Sequence, residues 1–201
     1  MSTWTSKALI AAFVFGLAGC EAGLGVSRKA PEQISLPDGL IVAGAEGWCV
    51  DLESSRAIGA TSMVVLGSCA AIAKNAKAPR PRVPGVMTVS IEGAGLQAPP
   101  AAALEAFFET DSGLAVLARD GIAQSVRVLE SRRDGEHLYL RAEDKSALPG
   151  AESEYWRAIF GLNGRLVSVT LLGLAGRPIA PAEGFATLQS QIEELIVANA
   201  V

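Results

Sequence analysis

The apolar residues of this chain fall into strand-length runs, with helical spacing at two places. Residues 86–92 alternate cleanly: Val86, Thr88 and Ser90 lie on one face, Met87, Val89 and Ile91 on the other. That period of two is the mark of a half-buried strand. Apolar runs at 40–43 and 47–51, split by Gly44-Ala45-Glu46, and at 63–69 read as further strands. The last of these can continue as helix over 70–77, and residues 53–59 read as a short helical turn. Four more runs follow one another at 125–132, 138–142, 155–162 and 166–172. Asp134-Gly135 and Asn163-Gly164 sit between them as tight hairpin signals.

Helical spacing appears first at Leu104, Phe107 and Phe108, after Pro99-Pro100, with Gly113 placed to end or kink the helix. It returns as the stripe Phe185, Leu188, Ile192, Leu195 and Ile196 over 182–198, after Pro178 and Pro181 have stopped the sheet. The order is strands, helix, antiparallel meander, helix. Hairpin-scale connections exclude a mainly parallel sheet. The expected class is α+β: an antiparallel sheet with a C-terminal meander, packed on one face by two helices.

The two ends differ in kind. Residues 21–38 show no periodicity, and Pro37-Asp38-Gly39 is a turn signal. Before them, an uncharged apolar run of twelve residues, 8–19, follows Lys7. It is too short to cross a bilayer, which needs roughly 20 apolar residues, and it fits the apolar region of a secretory leader. The expected organisation is a leader over 1–19, a flexible tether over 20–39 and a single α+β domain over 40–201.

Leu17-Ala18-Gly19-Cys20 resembles the lipobox of bacterial lipoproteins. The resemblance implies that Cys20 is acylated on sulfur, that the chain is cut before it, and that the new amino terminus is acylated. Each buried CH₂ of such chains contributes about 0.8 kcal/mol, and two or more chains make anchoring stable. Glu21 stands where the family's sorting rule reserves Asp for inner-membrane retention, which favours the outer membrane. The implied partner is thus the membrane, reached through the lipid.

Charge then removes one class of function. Cutting the leader leaves sixteen basic against 21 acidic residues, a net charge of −5, which does not suit general nucleic-acid binding. Cys49 and Cys69 remain as an even pair in an exported chain, where a disulfide is expected. No phosphate loop, nucleophile elbow or His-Glu-x-x-His motif is present. The single histidine, His137, begins a strand after a turn and reads as a partly exposed strand residue. No catalytic residue, metal site or cofactor is assigned.

Three groups of residues are left as candidates for binding or chemistry. Lys74, Lys77, Arg80 and Arg82 fall in a proline-rich stretch with no acidic residue between Glu53 and Glu92. Such a basic arm can meet anionic head groups, each charge contributing about 1 kcal/mol, or it can be a solubilising loop. Trp156, Ala158 and Phe160 share one strand face and Tyr155, Arg157 and Ile159 the other, with Arg165 nearby. Aromatic residues so arranged are core, and a face left bare by the helices, carrying Arg157 and Arg165, is a natural binding surface. Glu105, Glu109 and Asp111 offer paired carboxylates for acid–base work, or form the solvated side of a helix.

From about Leu40 onward the element order, with the Gly47-Trp48 strand, the Phe107-Phe108 helix, two hairpins and the terminal helix, is similar to the PsbP/Mog1/DcrB-like group. That resemblance implies a binding or assembly module. The expected function is a lipid-anchored, non-enzymatic envelope protein that binds an envelope protein or polymer. An enzyme using the carboxylates and a membrane-surface scaffold using the basic arm are the alternatives.

Overall fold

The computed structural model describes residues 29–58, 61–92, 95, 97–146 and 148–200; the expected leader and Cys20 lie outside the described residues. The strands are β1 (Gln33–Ser35), β2 (Ile41–Ala43), β3 (Trp48–Ile58), β4 (Thr61–Ser68), β5 (Gly85–Ile91), β6 (Val126–Asp134), β7 (His137–Asp144), β8 (Ala151–Leu162) and β9 (Arg165–Leu174). The helices are α1 (Cys69–Ile72), α2 (Ala101–Phe108), α3 (Asp111–Leu117) and α4 (Pro181–Ala198).

Two antiparallel meanders, β3-β4-β5 and β6-β7-β8-β9, join through β5 and β9 into one seven-stranded sheet of order β3-β4-β5-β9-β8-β7-β6. The C-terminal meander is the one expected from the hairpin signals. Asn163 and Gly164 take φ of 48° and 72°, the left-handed pair that a two-residue hairpin requires. Met87, Val89 and Ile91 point into the core, as the alternation of β5 demands.

The helices do not share a face. Trp156, Ala158 and Phe160 of β8 pack with Phe185, Leu188, Ile192 and Leu195 of α4. Tyr155 and Ile159 of the same strand pack with Leu104 and Phe108 of α2 and Leu117 of α3, in a separate cluster. The expected packing of both helices on one face is therefore corrected to one layer on each side. The reason lies in β8 itself: a strand apolar on both faces needs cover on both.

The folded part also begins earlier than expected. Ala30 and Leu36 are buried, and β1 pairs with β2 through Gln33↔Ala43 to Ser35↔Ile41. The Val50 N–H donates to the Pro31 carbonyl at 2.7 Å. Residues 30–39 thus belong to the domain rather than to a tether, because a three-residue strand without visible alternation still finds an edge to pair with. Residues 53–59 form no helical turn where they are described: β3 runs on to Ile58 with a bulge between Asp51 and Arg56. Asp51 causes the bulge by accepting from the N–H groups of Glu53 (3.1 Å) and Ser54 (3.3 Å).

The β1-β2 hairpin is held onto α4 by Gln191, which is fully buried. Its Oε1 accepts from the Ala45 N–H (3.0 Å), and its Nε2 donates to the Ala43 carbonyl (2.6 Å). Gln191→Leu keeps the volume and strands both backbone groups. The expected loss is about 2 kcal/mol, read as a lower urea midpoint with unchanged slope; an unchanged midpoint would show that water takes over both bonds.

Candidate functional site

The sheet face opposite α4 is only half covered. α2 ends at Phe108, and Thr110 turns the chain into α3. The Thr110 hydroxyl donates to the Phe107 carbonyl (2.7 Å) and accepts from the Gly113 N–H (3.1 Å). A Cβ at Gly113 would collide with the Phe107 carbonyl, so the tight α2–α3 corner requires glycine there. At the far end, the buried Asp144 carboxylate accepts from the Arg119 N–H (2.8 Å), the Ser146 N–H (2.8 Å) and the Ser146 hydroxyl (2.6 Å). The Tyr155 hydroxyl donates to the Leu117 carbonyl (3.0 Å), and burial pushes its pKa up to about 12. The helical pair is thus clamped over β6, β7 and the outer part of β8.

Beyond it, the face of β9, β5 and β4 stays open, and a cavity of about 730 Å³ lies between the bare strands and the helices. Its floor is set by register. Thr88 of β5 stands opposite Thr170 of β9, and Ser90 stands opposite Ser168. One strand over, Arg157 of β8 stands opposite Thr170 and donates from Nε to its hydroxyl (3.0 Å). Four hydroxyls and one guanidinium therefore share a patch of sheet. The lip is apolar: Met63, Phe107, Val116 and Leu148 are all exposed there.

Arg157 is the unusual member. It is half-buried, and desolvation pulls its pKa below the ordinary guanidinium value. Among the described residues no carboxylate forms an ion pair with it. The acids that line the cavity are turned to other donors. Asp144 holds three, Glu92 accepts from the Thr61 hydroxyl (3.1 Å), and Glu152 accepts from the Gly176 N–H (2.6 Å).

The other expected candidates are dispersed. Arg165 pairs with Asp38 at 2.9 Å and ties the turn after β1 to the β8-β9 hairpin, away from the cavity. Lys74, Lys77, Arg80 and Arg82 are exposed, but their segment is no free arm. The Pro79 carbonyl accepts from the Ala70 N–H (3.0 Å), and Val83 is buried in the main core. Arg80 and Arg82 face a shallow groove that also contains Glu46 and Glu183, so the local positive charge is diluted. Glu105 bonds the Ser131 hydroxyl (2.5 Å) and Arg133 (2.8 Å); Glu109 shares a small groove with it, while Asp111 begins α3. His137 opens β7 with its ring 5.2 Å from that of Phe160. Cys49 and Cys69 form the expected disulfide, with Cα atoms 4.8 Å apart. Among the described residues no cluster of His, Cys, Asp or Glu could hold a metal ion, and no helix is long and apolar enough to cross a membrane.

Sequence reasoning singled out Arg157 as a candidate, but not the hydroxyl floor beside it. The signal for half of it was present in the Thr88/Ser90 face of β5; the neighbour that completes it, β9, is eighty residues away in the chain. No family model, no curated protein and no solved structure matches this chain.

Proposed function

We propose that this chain is a lipid-anchored cell-envelope protein, held by acylated Cys20 and facing the periplasm, with the outer membrane favoured. It acts there as a non-enzymatic binding module. The observation that carries the binding reading is the cavity under α2 and α3: its volume of about 730 Å³ falls in the range of small-molecule sites. Its apolar walls with a few convergent polar groups are what such sites share. An apolar lip suits a partner drawn from the membrane that the anchor keeps close.

Two experiments test the two halves of this reading. Cys20→Ser removes the acylated sulfur, and the variant is expected to leave the membrane fraction or to accumulate as uncleaved precursor. If it instead co-fractionates with membranes at wild-type processing, the anchor is not at Cys20. For the cavity, membranes carrying the full chain are irradiated with an uncharged long-chain alcohol bearing a diazirine. Label is expected on peptides from α2, α3 and β9, and to fall when Ser168→Phe fills the floor. Label spread evenly over the domain would show that the cavity holds nothing.

A further inference from the structure

Resting on the proposal that this cavity binds a ligand, we infer that the ligand is a long-chain carboxylate, a monoanionic amphiphile of the fatty-acid class, with its head group on Arg157. Three observations converge. Arg157 is partly withdrawn from water with no carboxylate among the described residues in ion-pair contact, only the more distant field of Asp144 acting on it, and such a guanidinium is costly unless an anion completes it. The Arg157 Nε is already given to Thr170, so the rest of its fork is left for a ligand. Because the Thr170 hydroxyl accepts from Nε, its own proton is free to be donated, and Thr88, Ser90 and Ser168 add further hydroxyls to the same floor. A planar carboxylate can take the fork and a hydroxyl together.

Charge sets the head group and the lip sets the tail. The one other basic residue along the cavity, Arg119, is exposed, where water and salt screen it. Glu92, Glu152 and Asp144 line the cavity too, and their field opposes a second negative charge on the ligand. Direct contact with the half-buried Arg157 can offset one negative charge against this field, and a phosphate dianion is disfavoured. Met63, Phe107, Val116 and Leu148 form an exposed apolar rim of the kind that marks a ligand or partner site on a soluble domain. A ligand with its carboxylate on Arg157 can lay an acyl chain along that rim.

The test uses membranes carrying the full chain and diazirine-bearing dodecanoate, dodecanol and dodecyl phosphate. Dodecanoate is expected to label cavity peptides more strongly than either other probe. Arg157→Gln is expected to lower dodecanoate labelling by about 10- to 100-fold, the loss of a charge-assisted contact, and dodecanol labelling by far less. Arg157→Lys, which keeps the charge without the fork, is expected to retain part of it and to guard against misfolding as the cause. Equal labelling by acid and alcohol, or indifference to Arg157→Gln, overturns the carboxylate while leaving the cavity a binding site. Stronger labelling by dodecyl phosphate moves the site to phosphate monoesters and overturns it also. Labelling of the cavity by none of the probes removes the binding reading and this inference together.

Discussion

Trp156→Ala is expected to lower the free energy of unfolding by about 3–5 kcal/mol, the range for deleting a large buried aromatic. Trp156 is 1% exposed and lies where β8 meets α4. Its ring is seated against Gly184, where any Cβ would strike the indole, so the helix and the ring have closed on each other completely. Alanine leaves a hole that neither the sheet nor an eighteen-residue helix can collapse into without moving the helix along its length. Hydrogen bonding is not what is lost: the indole N–H has no partner among the described residues. Trp156→Phe, which keeps most of the volume, is therefore expected to cost well under half as much. The check is urea unfolding followed by far-ultraviolet circular dichroism. Equal losses for the alanine and phenylalanine variants would mean that the indole edge, rather than the filled volume, holds α4 down.

Loss of the Cys49–Cys69 disulfide is expected to cost roughly 3 kcal/mol for the loop it closes, which spans a sequence separation of 20. For a domain of this size that is a fall in melting temperature of about 6–12 °C. The bond joins the start of β3 to the start of α1, and both cysteines are buried beside Ala30 and Ile72. It thus secures the edge strand and the root of the proline-rich segment that follows α1. Treatment with reductant and the double variant Cys49→Ala/Cys69→Ala are expected to give the same shift. An unchanged melting temperature in both would show that the unfolded chain already keeps these segments together. A shift in reductant alone would point to chemistry elsewhere.

Much of the local structure was legible in the sequence. The alternation in β5, the Asn163-Gly164 turn and the stripe on α4 each specify their element by short-range physics: the pleat, the left-handed turn, the 3.6-residue period. Even the Cys49–Cys69 bond followed from the even pair. Weakly patterned segments were misread. The polar run after Asp51 carries no period because an edge strand is wet on both faces, and residues 30–39 look like a tether because β1 is only three residues long. Arg157 and Arg165 were placed together on a face expected to be wholly bare; Arg157 instead lies in the cavity beside a helical pair, and Arg165 pairs with Asp38 in the segment taken as tether.

By itself the sequence determined the strongly patterned elements, the alternating face of β5, the Asn163-Gly164 hairpin and the stripe of α4, and it supplied the Leu17-Ala18-Gly19-Cys20 motif on which the proposed anchor rests. These depend on neighbours a few positions apart. Only the tertiary structure decided that β5 lies beside β9, that α2–α3 and α4 take opposite faces, and that the helical pair stops short of covering its side. Strand pairing is a contact between distant parts of the chain, and many orders satisfy the same alternation; burial of both faces of β8 selects among them. That selection is what sets Thr88, Ser90, Ser168 and Thr170 in two facing pairs beside an arginine that no carboxylate ion-pairs among the described residues.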